Sequence, residues 1–346
     1  GRREYHLKPF RAAIAAGTSQ IMPYYGMPVG TDWTEAGFAF NTEVITGLLR
    51  GELGFDGIVC TDWGLIGDSV ILGQPMPARA WGAEHLSEVQ RAQRIIDAGC
   101  DQFGGESRPE LVVELVRSGQ VSQARIDESV RRLLREKFLL GLFDQPFLDV
   151  DHAVATIGRP DFVAAGEVTQ RAAIVRLTAA TSGPAALPMG TGHAVYVENI
   201  SPAAAARLGR VVADPTEADV AVLRLDAPYE PRPGGFESFF HAGSLEFPAD
   251  ERDRVIAVCR QVPTIIVLFL DRPAIVPEIA AAAAALLVEF GARDDAVVDV
   301  LLGHAHARGR LPFDLPSSMQ AVVDSRTDTP YDTADPLFRF GDGIVT

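Results

Sequence analysis

Short apolar runs and longer helical patterns alternate along the first 150 residues. The run Ile58-Val59-Cys60 is entered through a glycine turn and is apolar throughout, which is typical of a buried parallel strand. Further strands are predicted at 19–25 and 98–103, and apolar spacing predicts helices at 7–16, 41–53, 86–98, 109–118 and 122–140. This alternation of strand and helix indicates an α/β architecture with parallel strands.

A second α/β pattern follows after residue 165. Its predicted strands lie at 194–198, 220–225, 264–269 and 286–290, with helices predicted at 203–208 and 250–262. This order predicts a doubly wound open sheet. The glycines, prolines and acidic residues of 141–165 have the composition of a linker. We therefore predict a first domain at 1–145, a linker at 146–165 and a second domain at 166–346.

The first domain is too short to be a complete barrel. About three βα units fit before residue 150, whereas a closed (β/α)₈ barrel needs about eight units and ~250 residues. If these units belong to a barrel, we expect its first part to lie outside this chain. The chain begins Gly-Arg-Arg-Glu without a methionine, so we expect a fragment or a processed form. Cytoplasmic and secreted locations both stay open.

Composition and charge narrow the class of protein. The 346 residues are 47% hydrophobic, enough for two cores, and carry a formal net charge of −15. This acidic balance argues against nucleic-acid binding, which needs a concentrated basic face. No apolar run is long enough to predict a membrane span. The three widely spaced cysteines predict no disulfide framework, and the pair His304 and His306 is too weak a pattern to predict a metal site, so we expect no cofactor.

One carboxylate stands where a predicted buried strand leaves the core. Asp62 ends the segment that contains the apolar run, and Trp63 follows it directly. In barrels and open α/β sheets, chemistry lies at the carboxyl ends of the strands. A carboxylate can attack or stabilise an anomeric carbon, and a flat indole can hold a sugar ring. The pair therefore indicates a carbohydrate site, although an ordinary turn aspartate after a strand is the alternative.

Several segments of the chain form an ordered set. Met22-Pro23-Tyr24-Tyr25 ends the first predicted strand, residues 49–57 read Leu-Arg-Gly-Glu-Leu-Gly-Phe-Asp-Gly, and Thr61-Asp62-Trp63 ends the next strand. Further landmarks lie at 99–101, 126–134, 141–144, 309–313 and 336–343. In this order the segments resemble glycoside hydrolase family 3, the retaining β-glucosidase-like exo-acting enzymes. The resemblance covers nearly the whole chain.

The resemblance implies the architecture and the activity. Residues 1–145 would be the C-terminal part of a (β/α)₈-like catalytic barrel, and 166–346 an α/β sandwich domain that contributes the acid/base loop. The implied enzyme is a retaining exo-acting β-glycosidase, most simply a β-glucosidase. It forms a covalent glycosyl-enzyme intermediate and needs two carboxyl groups about 5–5.5 Å apart.

The implied catalytic residues lie in both halves of the chain. Asp62 matches the family nucleophile. For the acid/base residue, Glu237 is favoured by its spacing from Pro248, and Glu230, which follows a Pro-Tyr pair, is the alternative. Phenylalanines beside Glu237 could supply the apolar setting that raises the pKa of a general acid.

Three aromatic residues are implied at the sugar site. Tyr25 matches the family tyrosine near the nucleophile, and Trp63 and Tyr24 would form walls for the sugar. The expected substrates are β-linked glucosides or oligosaccharides. The family's sugar-binding aspartate, arginine and lysine-histidine pair have no counterpart here, and 289–293 departs from the family's Gly-x-Glu-Gly segment.

We expect the chain to require a partner. A partial barrel leaves strand edges unpaired, so the missing N-terminal barrel half should come from the same polypeptide or from a second chain. The alternative function is a non-catalytic sugar-binding or structural half of a larger assembly. A nucleotide-binding α/β protein is a third interpretation, but no glycine fingerprint supports it.

Overall fold

The computed structural model of the chain describes residues 3–71, 73–233, 236–326 and 329–345, without the side chains of residues 71, 236 and 237. It divides after Val150 into two units, each with its own hydrophobic core. Among the described helices, none combines the length and the apolar character that a membrane crossing requires.

A three-stranded parallel sheet forms the centre of the first unit. Its strands are β1 (Gln20–Ile21), β2 (Ile58–Trp63) and β5 (Gln102–Gly104), in the order β1-β2-β5. A hairpin of β3 (Ser69–Ile71) and β4 (Gln74–Met76) follows β2. The helices are α1 (Arg3–Ala15), a π-helix (Glu43–Glu52), α2 (Glu88–Ala98), α3 (Pro109–Arg117) and α4 (Gln123–Leu139).

Side-chain caps place the helix starts. Ser87 forms a capping box at the start of α2, and Ser122 accepts a hydrogen bond from the Arg125 N–H at the start of α4. Asn41, predicted to cap a helix, accepts a hydrogen bond from the Val44 N–H. Such caps satisfy backbone groups that the first helical turn leaves without partners. These three helices therefore begin close to the predicted positions, whereas α1 begins at Arg3 and not at residue 7.

A buried carboxylate ties the elements of this unit together. The side chain of Asp101, just before β5, is fully buried and accepts hydrogen bonds from Arg50 at 2.6 Å, Ser129 at 2.7 Å and Arg132 at 2.9 Å. It also accepts a hydrogen bond of 2.9 Å from the Val59 N–H of β2. Burial alone would raise the pKa of Asp101, but these hydrogen bonds and arginine charges hold it below the usual range. The ionised form is therefore the structural one.

A six-stranded mixed sheet forms the centre of the second unit. Its order is β6-β11-β10-β9-β7-β8, and all neighbours are parallel except β6 and β11. The strands are β6 (Val175–Thr178), β7 (Ala194–Glu198), β8 (Arg210–Val212), β9 (Val220–Asp226), β10 (Thr264–Phe269) and β11 (Ala285–Glu289). The sequence pattern did not predict β6 or β8. Both are short edge strands, which lack the continuous apolar run of a central strand.

Helices cover both faces of this sheet. Val222 and Val297 belong to the apolar core on one face, and Leu223 and Val255 to the core on the other. The helices are α5 (Val150–Thr156), α6 (Pro160–Ala173), α7 (Pro202–Ala205), α8 (Ala249–Gln261), α9 (Pro277–Ala282), α10 (Asp294–Leu301) and α11 (Met319–Asp324). The segment predicted as a linker thus contains α5 and the start of α6.

Glu289 organises the turn after β11. Its buried carboxylate accepts hydrogen bonds from Arg224 at 2.7 Å and from the N–H groups of Gly291 and Ala292, both at 2.6 Å. Arg224 also pairs with Asp294 at 2.6 Å. The 289–293 segment, where the sequence departs from the family pattern, is therefore held by its own buried ion pair.

Candidate active site

Asp62 lies at the carboxyl end of β2, the middle strand of the first unit's sheet. The preceding Thr61 is fully buried, whereas the Asp62 side chain is only partly buried. Asp62 Oδ1 accepts a hydrogen bond of 2.9 Å from the Trp63 N–H. The strand thus carries a carboxylate out of the core at the edge where parallel α/β proteins place reacting groups.

Tyr25 follows β1, and its phenol lies against the end of β2. Its Oη accepts a hydrogen bond of 3.0 Å from the Trp63 N–H and lies 2.7 Å from the Trp63 carbonyl oxygen, to which it can donate. Burial raises the pKa of the Tyr25 phenol, and a hydrogen bond to Asp62 raises it further. The structure therefore brings Tyr25 and Asp62 together.

Arg79 is a further residue of the candidate site, and no sequence motif pointed to it. Its Nη1 donates a hydrogen bond of 2.7 Å to Tyr25 Oη, and its guanidinium carbon lies 4.9 Å from the centre of the Tyr25 ring. An arginine in a long polar connection matches no motif. The only signal was the length of the 64–83 connection, which exceeds that of a plain turn.

Two glycines make room for the Trp63 indole. A Cβ atom at Gly105 would lie 1.8 Å from Trp63 Cδ1, and one at Gly104 would lie 3.0 Å from Trp63 Cε3 as well as 2.0 Å from the Thr61 carbonyl oxygen. Gly105 also has a φ of +66°, which favours glycine. The indole therefore lies close against the backbone after β5, and Trp63 as a residue remains 51% exposed. This geometry leaves part of the indole open to a ligand.

Two further aromatic side chains are exposed in the same unit. Tyr24 is 71% exposed and contacts Phe38 edge to face, with ring centroids 6.3 Å apart. Trp81 is 45% exposed and contacts Tyr25 edge to face at 6.0 Å. Trp81 was not predicted. Such partly exposed rings can stack on a sugar.

Glu106 holds the backbone that follows Trp63. Its carboxylate accepts hydrogen bonds from the N–H groups of Leu65, Ile66 and Gly67 at 3.0 to 3.2 Å. Three backbone donors make a strong anion-binding turn. Glu106 therefore fixes the course of the chain just after Asp62 and Trp63.

The loop between β9 and α8 contains both candidates for the acid/base residue. Glu237 lies in a short 3₁₀ turn, Phe236–Phe239, and its carboxylate is outside the described part of the chain. Glu230 is exposed, and its N–H donates a hydrogen bond of 2.9 Å to the Ala242 carbonyl. The Glu230 carboxylate accepts a hydrogen bond of 3.2 Å from the Ser244 N–H. Glu230 thus joins the two limbs of this loop.

A histidine–aspartate pair fastens the same loop. His241 Nδ1 lies 2.5 Å from Asp271 Oδ2, and the imidazole stacks on the Tyr229 ring at 3.7 Å. Arg272 donates hydrogen bonds of 2.6 and 2.7 Å to the two carbonyl groups that follow His241. In the described ranges, no group of three or more histidine, cysteine, aspartate or glutamate side chains is arranged to hold a metal ion.

Two family models match the chain. The model described as Glycosyl hydrolase family 3 N terminal domain matches residues 2–136. The model described as Glycosyl hydrolase family 3 C-terminal domain matches residues 90–346, which is more than half of the chain.

Curated relatives carry β-glucosidase names. The chain is 54% identical over 341 residues to β-glucosidase C of Emericella nidulans, a match that covers 98% of this chain and 55% of the relative. It is 35% identical to the periplasmic β-glucosidase/β-xylosidase of Dickeya chrysanthemi, with 99% of this chain and 54% of the relative covered. The chain therefore spans about half the length of the curated relatives it matches.

Solved structures share the fold. The β-glucosidase of Listeria innocua in complex with glucose matches with a TM-score of 0.76 at 20% identity, covering 100% of this chain and 54% of that one. A β-glucosidase from Erythrobacter marinus matches with a TM-score of 0.76 at 21% identity, covering 98% and 54%. At this identity the likeness concerns the fold. Together with the two family models, it confirms the resemblance found in the sequence: the chain belongs to glycosyl hydrolase family 3.

Proposed function

We propose that this chain belongs to a retaining exo-acting β-glycosidase, most simply a β-glucosidase. The observation that carries the proposal is Asp62 at the carboxyl end of a buried strand, where its carboxylate and the Tyr25 phenol both accept from the Trp63 N–H, beside the exposed Trp63 side chain. The names of the relatives support a β-linked glucoside as the substrate. The enzyme would release the terminal non-reducing sugar.

The first step forms the covalent intermediate. The Asp62 carboxylate attacks the anomeric carbon, and the bond from that carbon to the leaving-group oxygen breaks. The acid residue gives its proton to that oxygen. In the second step, water attacks the anomeric carbon, the ester bond to Asp62 breaks, and its electron pair returns to the carboxylate. The acid/base residue takes the proton of the water.

Trapping tests this mechanism directly. The fluorine of a 2-fluoro glucoside slows both steps, and a good leaving group allows the first step to proceed nevertheless. When the leaving group departs, the sugar stays attached to the nucleophile. Incubating the complete protein with this reagent should label one peptide, and mass spectrometry should place the sugar on Asp62. A label on a different peptide would overturn the assignment.

We propose Glu237 as the acid/base residue, with Glu230 as the alternative. The hydrogen bonds of Glu230 to Ala242 and Ser244 give it a structural role in the loop, which favours Glu237. A Glu237→Gln variant should lose about 10²–10⁴-fold in kcat on a glucoside with a poor leaving group. It should keep most of its glycosylation rate on a dinitrophenyl glucoside, whose leaving group needs no proton.

Glu230→Gln is the matched comparison. We expect it to lower the activity on both substrates by a similar, smaller factor, because it weakens the loop rather than removing a proton donor. The reverse result, with leaving-group dependence only in the Glu230 variant, would transfer the role to Glu230.

We also propose that the chain works together with the remaining part of its barrel. In the described first unit, β1 and β5 each pair only with β2, so both outer edges of the sheet are open. The end of α4 and the residues after it expose large apolar side chains, among them Phe138, Leu139 and Phe147. Open edges and apolar patches of this kind favour association.

Complementation measures this dependence. The chain alone should aggregate or lack turnover of nitrophenyl β-glucoside. Co-expression with the part of a relative that lies outside its match to this chain should restore solubility and turnover. Full activity of the isolated chain as a monomer would refute the requirement. A soluble complex that binds glucose without turnover would favour the alternative, a non-catalytic half of an assembly.

A further inference from the structure

The loop between β9 and α8 is held at its base by the segment that follows β10. At the start of the loop, the Ala227 N–H donates a hydrogen bond of 3.0 Å to the Phe269 carbonyl. Near its end, the Leu245 carbonyl accepts a hydrogen bond of 2.9 Å from the Ile275 N–H. Both limbs of the loop therefore lie against the same short segment, and the two candidates for the acid/base residue lie between these attachments.

Arg272 joins this segment to the second limb of the loop. Its Nη1 donates a hydrogen bond of 2.6 Å to the Ala242 carbonyl, and its Nη2 donates one of 2.7 Å to the Gly243 carbonyl. Just after it, Ala274 and Val276 are at most 1% exposed and belong to the apolar core. A guanidinium can hold two acceptors in a fixed geometry, and here packing fixes the segment that carries it.

The two limbs of the loop meet where Arg272 binds the second one. The Ala242 carbonyl accepts a hydrogen bond from Arg272 and another, of 2.9 Å, from the Glu230 N–H of the first limb. At Gly243, which has a φ of +79°, a Cβ atom would lie 2.4 Å from Glu230 Cδ. Displacing residues 242–243 would therefore move both limbs.

Asp271 adds a second attachment beside Arg272. Its Oδ2 lies 2.5 Å from His241 Nδ1, and the His241 imidazole lies parallel to the Tyr229 ring at 3.7 Å, with an angle of 4° between the two planes. Tyr229 belongs to the first limb and His241 to the second. The consecutive residues Asp271 and Arg272 thus hold a side chain and the backbone of the loop at neighbouring points.

We propose that Arg272 is a positioning residue for the proton donor of this loop. The inference rests on the proposed function, in which Glu237 or Glu230 protonates the leaving-group oxygen. A general acid must lie within hydrogen-bond distance of that oxygen, and a displacement of about 1 Å can lower the rate by about 10²-fold. Arg272 touches neither the sugar nor the reacting atoms in this role, and it acts through the backbone of residues 242–243.

The dependence on the leaving group tests this role in the complete protein. Arg272→Met should lower kcat/KM for methyl β-glucoside, measured by glucose release, by about 10- to 100-fold. For a dinitrophenyl β-glucoside, whose leaving group needs no proton, kcat/KM should stay within about 3-fold. Arg272→Lys, which keeps the charge, should recover part of the loss. Equal losses on the two substrates would overturn the proposal.

A double-mutant cycle tests whether Arg272 acts through the proton donor. The background is Glu237→Gln or Glu230→Gln, whichever variant loses activity only on substrates with a poor leaving group. In that background, Arg272→Met should lower kcat/KM for methyl β-glucoside by less than about 3-fold, because no proton donor is left to position. A further loss as large as that in the unchanged protein would contradict the proposal.

Arg310→Met is the matched control. Arg310 also holds two backbone carbonyls of the second unit, those of Gly341 at 2.9 Å and Gly343 at 3.5 Å. Among the described residues, none of its hydrogen bonds reaches the loop between β9 and α8. We expect Arg310→Met to affect the two substrates alike. A leaving-group dependence as strong as that of Arg272→Met would show a general loosening of the unit and would contradict the proposal.

Hydrogen exchange separates this inference from the function itself. In Arg272→Met, peptides that contain the Glu230 and Ile275 N–H groups should exchange faster, because both groups donate to the second limb. The same peptides should be unchanged in Arg310→Met. Unchanged exchange in Arg272→Met would reject the positioning role even in an active enzyme. If Asp62→Asn keeps its activity, the proposed function fails, and the exchange result still decides whether Arg272 fixes the loop.

Discussion

Replacing Asp62 with asparagine should lower kcat for a nitrophenyl β-glucoside by about 10⁴-fold or more. The amide has nearly the shape of the carboxylate and can still accept the Trp63 N–H with its oxygen. In the proposed mechanism the amide lacks the charge needed to attack the anomeric carbon, so we expect no glycosyl intermediate to form. Steady-state kinetics of the complete protein, with folding checked by circular dichroism, measure the loss.

Asp68→Asn provides the control for this loss. Asp68 is an exposed carboxylate in the same connection, and it accepts a hydrogen bond of 2.8 Å from the Ala78 N–H. Because an asparagine can accept the same bond, we expect kcat to stay within about 3-fold of the unchanged protein. If Asp62→Asn keeps about a tenth of the activity, the nucleophile lies elsewhere.

Replacing Asp101 with asparagine should destabilise the first unit by about 3–5 kcal/mol. The change leaves Arg50 and Arg132 facing a neutral group in a buried setting. Removing one partner of a buried ion pair lowers the free energy of unfolding by far more than the intact pair contributes to it, because the remaining charges stay desolvated. Urea unfolding of the complete protein, followed by tryptophan fluorescence, should show the midpoint move to lower urea.

The pH dependence of this loss has a definite sign. Folding lowers the pKa of Asp101. Its contribution to the stability of the folded state is therefore fully present above its unfolded pKa and is lost as pH falls through the folded pKa. The difference in free energy of unfolding between the unchanged protein and Asp101→Asn should therefore be largest near neutral pH and become smaller in acid. A difference that grows in acid would contradict an ionised Asp101.

Asp56→Asn is the matched surface control. Asp56 also pairs with Arg132, at 3.4 Å, but its side chain is 72% exposed. Surface ion pairs contribute about 0–1 kcal/mol, since water and salt screen them. Equal destabilisation by the Asp56 and Asp101 changes would show that burial does not set the effect.

The accuracy of the sequence predictions depended on how local the signal was. The Ile58-Val59-Cys60 run predicted β2 because a buried parallel strand needs only apolar residues in sequence. The observed strand continues through Asp62 and Trp63, because β5 pairs alongside them up to Gly104. The edge strands β6 and β8 contain no such apolar run. They form because neighbouring strands of the sheet pair with them.

The residues of the candidate site were likewise predictable only where their signal is local in the sequence. Asp62, Tyr25 and Trp63 were singled out because strand ends and motifs are visible along the chain. Arg79 and Trp81 were missed because they approach Tyr25 only after the connection closes on Gly64. The sequence did not predict that Glu106 holds the backbone after Trp63, since the three N–H groups that it accepts from lie about forty residues away in sequence.

The amino-acid sequence by itself determined the α/β pattern, the family and the placing of Asp62 at a strand end. These properties follow from apolar periodicity and from contiguous motifs, which are local in the chain. Only the tertiary structure decided which groups surround Asp62, how Asp101 is neutralised and why Glu230 is tied into its loop. Such contacts join residues far apart in sequence, and their energies depend on distance and burial, which folding alone creates.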